Sequence, residues 1–164
     1  MHVVVPRSAT RETSRMRLAE RLLYVTRKIV AGVESQQMPE TFWVDLLAIR
    51  LMKFQAIGVS GVVIISMDHL IYLLEGSPHH VDAVLDSVVC SRWESNPIFL
   101  QRTPIDRRHF ESGCLTSIEA SEYLERLLDE GAFHTDSEAL LAEVARLAGN
   151  RPLSQPHAHS STLH

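Results

Sequence analysis

The runs Val59-Ser-Gly-Val-Val-Ile-Ile-Ser66 and Leu70-Ile-Tyr-Leu-Leu-Glu75 are separated only by Met67-Asp68-His69, and this arrangement constrains the fold most. Both are dense in β-branched and large aliphatic residues, which favour strands. So short a polar link makes them an antiparallel hairpin. Helix signals bracket it. Gly58 stands just before the hairpin and, lacking a Cβ, suits a left-handed C-cap. Ser77-Pro78 follows, with serine as N-cap and proline at the first helical position, where its missing N–H costs nothing.

The helix ahead of the hairpin is predicted from Thr41, a capping residue, to Gly58. Trp43, Leu46, Leu47, Leu51, Phe54 and Ile57 recur at spacings of three and four. Phe42, Ile49 and Met52 widen the stripe, which predicts a helix buried on much of its circumference. The helix after the hairpin has Val81, Val84, Leu85 and Val88 as its inner face. Arg21–Arg27 reads as the first strand, and residues 28–39 as a loop with Gly32 and Pro39 as breakers. Pro97–Arg102 and His109–Thr116 are weaker strands. Ser117–Gly131 reads as a helix through Ile118, Leu124, Leu127 and Leu128. Thr135 and Glu138 form a capping-box pattern before Leu140, Leu141, Val144 and Leu147. This order predicts an α+β, ferredoxin-like β-α-β-β-α-β-β sandwich with two extra C-terminal helices, placed to cover the open sheet face. The expected division is a flexible extension at 1–19, the sandwich at 20–117, a helical pair at 118–149 and a disordered His-rich tail at 150–164.

With 164 residues, 45% of them apolar, the chain makes one domain whose core needs no disulfide or metal. A net charge of −4 argues against nucleic-acid or anionic-membrane partners. Two cysteines, Cys90 and Cys114, fit a reducing cytoplasm and are expected as buried apolar fillers. No apolar run reaches the ~18–20 residues of a membrane span, and Met1–Arg7 lacks the apolar stretch of a signal peptide. Adjacent His79 and His80 diverge by about 100° on a helix and do not chelate as an i,i+4 pair would. His157 and His159, with His164 beyond, lie in the tail, and no metal site is assigned. No phosphate loop, paired thiolate or nucleophile elbow is present, and Gly58–Gly61 opens a strand rather than a helix.

Arg21-Leu-Leu-Tyr-Val-Thr26, Gly58-Val-Ser-Gly61, Leu74-Glu-Gly76 and Val81 occur in an order that resembles the BLUF family of blue-light sensors using FAD. Arg92, with Trp93 where the family usually has His, and Arg108-His-Phe110 continue the likeness. The resemblance implies FAD as cofactor and light input to a downstream regulator rather than an enzyme reaction. It also implies three flavin-site positions: Tyr24, Phe54 and Tyr72. Tyr24 keeps the family's tyrosine. Phe54 stands at the asparagine position and Tyr72 at that of the glutamine whose amide offers both donor and acceptor to the flavin edge. The family's late tryptophan and methionine positions fall on Gly113 and Leu115.

Strand alternation puts Leu22, Tyr24 and Thr26 on one face, and Leu70, Tyr72 and Leu74 on one face of their own strand. If both faces meet the helices, Tyr24 and Tyr72 converge under Phe54 and fill the isoalloxazine slot. Filling it avoids a cavity cost of about 24 cal/mol per Å³. Plain core packing is the favoured account of Phe54 and Tyr72, and for Tyr24 it has the hydroxyl finding a carbonyl. Three readings follow. One is a BLUF-like regulatory module with impaired flavin photochemistry, acting on a protein partner or as a homodimer through the sheet face and C-terminal helices. Another is an FAD photoreceptor of altered chemistry, with Tyr24 as electron donor. The third is an acylphosphatase-like hydrolase using Arg27 and Lys28.

Overall fold

The hairpin forms in the register its short link demands, with Ser60 opposite Glu75 and Ile65 opposite Leu70. In a computed structural model, residues 19–29, 39–111 and 115–149 are described. The elements are β1 (Ala19–Arg27), α1 (Glu40–Ala56), β2 (Ser60–Ile65), β3 (His69–Gly76), α2 (Pro78–Val89), β4 (Phe99–Ile105), β5 (Leu115–Glu119), α3 (Glu122–Asp129), α4 (Ala132–Thr135) and α5 (Ser137–Gly149). The sheet order is β4-β1-β3-β2-β5. β1 runs antiparallel to both β3 and β4, while β5 joins β2 in parallel. This is the ferredoxin-like α+β arrangement predicted from the element order.

Side-chain alternation divides the sheet into two cores. Leu22, Tyr24, Leu70, Tyr72 and Leu74 face α1 and α2, meeting Trp43, Leu47, Leu51, Phe54, Val81, Val84 and Val88. Leu23, Val25, Val62, Ile64, Ile71 and Leu73 face the other way, onto Leu124, Leu128, Leu140 and Val144 of α3 and α5. Of the three C-terminal helices, one more than the two expected, α3 and α5 cover the second face as predicted. Two side chains fasten them. The Glu125 carboxylate accepts from Ser66 Oγ at 2.7 Å and Met67 N at 2.9 Å at the hairpin tip. Glu143 on α5 accepts from Ser121 Oγ, the N-cap of α3, at 2.7 Å.

Several expectations need correction. α1 begins at Glu40 after Pro39 rather than at Thr41; the carbonyl of Pro39 accepts the first bond, from Phe42 N at 2.9 Å, with no side-chain cap. Burial of α1 is one-sided, with Val44, Ile49 and Met52 exposed. Ser117 and Ile118 lie in β5, because that strand extends to Glu119 before Ser121 caps α3. His109 and Phe110 are not strand: their amides turn aside to a buried carboxylate. Asp136, not Thr135, accepts from Ala139 N at 3.0 Å, and Thr135 closes the short α4. Cys90 is exposed at the C-cap of α2. Ser77 caps α2 as predicted, and Gly58 takes a positive φ of 83° just past α1. Cys114 and Gly113, most of the 28–39 loop, nearly all of the 1–19 extension and the 150–164 tail lie outside the described residues.

Gly61 shows how tightly β2 and β3 approach. Its φ is +139°, and an added Cβ would sit 2.1 Å from the Leu73 carbonyl oxygen and 2.9 Å from Leu74 Cα, both backbone atoms. Gly61→Ala is expected to destabilise the protein by on the order of 3 kcal/mol, because both strain and clash fall on central strands. A urea-unfolding midpoint unchanged from wild type contradicts that account.

Candidate functional site

The site grows from the end of β1. Beyond α2, Ser91–Asn96 runs back along the tail of that strand: Ile29 N donates to Trp93 O at 2.8 Å and Ser95 N to Arg27 O at 2.9 Å. The pairing turns Glu94 into the sheet face beneath α1, where its side chain has no exposure to water. A bare carboxylate there is costly unless donors surround it. Three do. Thr26 Oγ1 donates at 3.0 Å, Tyr72 OH donates at 2.9 Å, and the Arg50 guanidinium forms an ion pair through Nη1.

Arg50 reaches this point from the apolar side of α1. Its Nη1 also donates to Tyr72 OH at 2.6 Å, and its Nη2 to Ser91 Oγ at 3.1 Å. The Tyr72 phenol thus accepts from Arg50 and donates to Glu94, a closed three-residue circuit. Burial first, and then the negative Glu94, push the Tyr72 pKa well above the usual phenol range. For Arg50 the neighbouring Tyr72 and Glu94 outweigh desolvation and raise its pKa.

Tyr24 sits directly opposite Tyr72 on the neighbouring strand, ring centroids 5.9 Å apart and planes at 72°, an edge-to-face pair. Phe54 belongs to the same buried cluster, so the three residues singled out in the sequence come together between sheet and helices. The Tyr24 hydroxyl is buried and has no hydrogen-bond partner among the described residues; it has not found a carbonyl. Burial, with Glu94 adding to it, raises its pKa to about 12. Trp93 lies beside this core, edge-on to Phe42 at 5.0 Å, with the Arg92 guanidinium 4.6 Å above its ring.

Other candidates separate from this site. Lys28 Nζ donates to the carbonyl oxygens of Ser66 and Met67 at the hairpin tip and lies 5.1 Å from the Trp43 ring. That is not the open anion cradle a phosphate-binding loop needs. Among the described residues no cluster of three His, Cys, Asp or Glu side chains could hold a metal, and no helix is long and apolar enough to cross a membrane. A concavity of about 450 Å³ lies on the other sheet face, between Arg21, Leu73, Phe110 and α5.

The sequence profile described as "Sensors of blue-light using FAD" matches residues 20–115. The chain belongs to the BLUF family. Its members are blue-light sensors that use FAD, and the ferredoxin-like sheet with two helices on one face matches solved BLUF structures. The dark-state structure of the BLUF protein BlrB has a TM-score of 0.62 at 18% identity, over 83% of this chain and 99% of that one. BlsA in its photo-activated state gives 0.59 at 16%, over 84% and 99%. A bacterial light-regulated adenylyl cyclase gives 0.54 at 16%, over 80% of this chain but 38% of the cyclase. No curated protein matches the chain by sequence.

Arg50, Ser91 and Glu94 escaped the sequence reading, while Thr26 was placed on the Tyr24 face without a partner. Arg50 left a trace, since it falls between Leu47 and Phe54 at helical spacing, a charge set among buried positions. Such a charge requires an opposite one within reach. Glu94→Ala should destabilise by about 3–5 kcal/mol, because Arg50 is then left buried and unpaired. Alkaline titration supplies a second test. Both buried phenols keep their protons in the fold while unfolded tyrosines ionise near pH 10. The stability they contribute is complete below about pH 10, and that of Tyr24 is lost as pH rises toward about 12. Phenolate absorbance followed together with circular dichroism reads this directly; early ionisation of all three tyrosines before unfolding contradicts it.

Proposed function

We propose that this chain is a BLUF-type regulatory module that acts by protein contact, without enzymatic activity of its own, and that it has given up the family's flavin hydrogen-bond chemistry. The observation that carries this is the saturation of the Tyr72 phenol. A phenol offers one donor and an acceptor, and here the donor goes to Glu94 and the acceptor to Arg50. Nothing of its donor remains for a flavin edge. Phe54 has no polar atom to add, and the edge-to-face stack of Tyr24 on Tyr72 occupies the adjoining core. The residues at the implied positions therefore do not fit the polar edge of a flavin ring.

In this reading residues 20–117 are the retained sensor domain, the helices after them secure its second face, and the molecule works in the cytoplasm on a protein partner. One observation favours a second reading, an FAD photoreceptor of altered chemistry. The Tyr24 hydroxyl is buried without a partner among the described residues, and such groups are uncommon in proteins. A ring carbonyl or nitrogen would satisfy it.

Absorbance near 450 nm on freshly purified protein decides between the two. The first reading expects little or no flavin, and no reversible red shift under blue light even after loading. Stoichiometric flavin with a light-induced shift overturns it. Phe54→Ala should lower stability by about 3–5 kcal/mol, the usual range for a buried phenylalanine. Phe54→Asn combined with Tyr72→Gln should raise flavin uptake and lower the stability of the ligand-free protein. If the double variant takes up no more flavin than wild type, other residues lining the slot have closed it.

A further inference from the structure

α1 leaves part of its apolar surface in water. Trp43, Leu47, Leu51 and Phe54 face the sheet. Val44, at the border, is 46% exposed, while Ile49 and Met52 on the side turned away from the sheet are 62% and 70% exposed. Ala48 and Ala56 are exposed on the same side. A surface helix ordinarily presents charged and polar residues to water. Here the outward stripe carries only two described charges, Asp45 and Lys53, both exposed.

Those charges are of opposite sign and stand four residues either side of Ile49. A two-fold axis through Ile49 lays a second α1 antiparallel on the first. Asp45 of each copy is then level with Lys53 of the other, and Ile49 meets Ile49. A parallel arrangement would set like charge against like. Ala56, seven residues on from Ile49 and so within about 20° of it around the helix, is exposed and has almost no side chain to hold the helices apart, which favours the short end of the ~8–10 Å interaxial range. The stripe has no net charge, so it lacks the basic flank that draws amphipathic helices to anionic membranes.

We propose that the outward face of α1 is an isologous interface between two copies of this chain, antiparallel and centred on Ile49. The inference builds on the reading of the chain as a protein-contact module and names that module's partner. α1 has 17 residues and so is about 25 Å long. A face of that length and about 10 Å width is well below the ~800 Å² per partner of a stable complex. The dimer is a weak, exchangeable one.

Sedimentation velocity on the full chain, from about 10 to about 500 µM, should show concentration-dependent dimerisation. Asp45→Lys or Lys53→Asp alone should weaken it about tenfold, since each sets two pairs of like charges together. The double variant should restore it to within about threefold. Residues 45 and 53 are two helical turns apart on one chain and do not touch, so restoration has to come from the other copy. Ile49→Lys should abolish association, with its melting curve showing that the fold is kept. A wild-type chain that stays monomeric throughout overturns the proposal, as does a dimer indifferent to the swaps or singles that the double does not rescue. Flavin content is measured separately on the same samples, so an unexpected flavin refutes the proposed function without touching this result.

Discussion

A carboxylate with no access to water closes this sheet. Glu75, at the end of β3, accepts from Arg21 Nε and Nη2 at 3.1 and 2.8 Å, and from the backbone amides of His109 and Phe110 at 2.7 and 3.0 Å. The cost of removing a charge from water is met by four donors, two of them from a guanidinium. The connection between β4 and β5 must pass from one edge of the sheet to the other, and these amides fasten it at the halfway point. Arg108 adds a bond to the Gly58 carbonyl at 2.6 Å. Only with that crossing in place does β5 lie beside β2. The neighbouring Gly76 is tight against Val59, whose Cγ2 would lie 3.3 Å from an added Cβ, while Val81 of the second helix would be at an ordinary contact of 3.7 Å. Leu-Glu-Gly thus carries a structural duty apart from any cofactor.

The second buried carboxylate, Glu94, has a different consequence. It joins the end of β1, the middle of α1, the middle of β3 and the segment after α2 through Thr26, Arg50, Tyr72 and Ser91. Replacing such an ion pair by apolar residues is often neutral in stability. What the network adds is a single orientation for α1 against the sheet. That helix presents the outward stripe, so the network that engages Tyr72 also fixes the direction in which the stripe faces.

Most of the architecture was legible because hydrophobic periodicity reports which elements exist. The hairpin, α2 with its Ser-Pro start, and the alternation that assigns Tyr24 and Tyr72 each to a strand face needed no tertiary information; that the two lie side by side came from the pairing of β1 with β3. Boundaries failed where a tertiary bond overrode a local signal. Ser117 and Ile118 joined β5 because β2 offered a free edge, and Asp136 capped α5 although Thr135 fitted the local pattern. The aromatic members of the site were visible through family resemblance. Its polar members were not, because Glu94 belongs to no periodic stripe and acquires its partners only when the chain folds back along β1.

The strand order β4-β1-β3-β2-β5 also governs the order of events during synthesis. Only the β2–β3 hairpin is local. β1 waits for β3 and then for β4, and β2 stays a free edge until residue 119 has emerged. Long-range pairings of this kind form slowly. Throughout that interval Leu23, Val25, Ile64 and Ile71 lie on a face whose cover, α3 and α5, is still to come. α3 and α5 are therefore part of the core of this sheet rather than a detachable appendage, and the sheet without them would present a bare aliphatic face to chaperones and proteases.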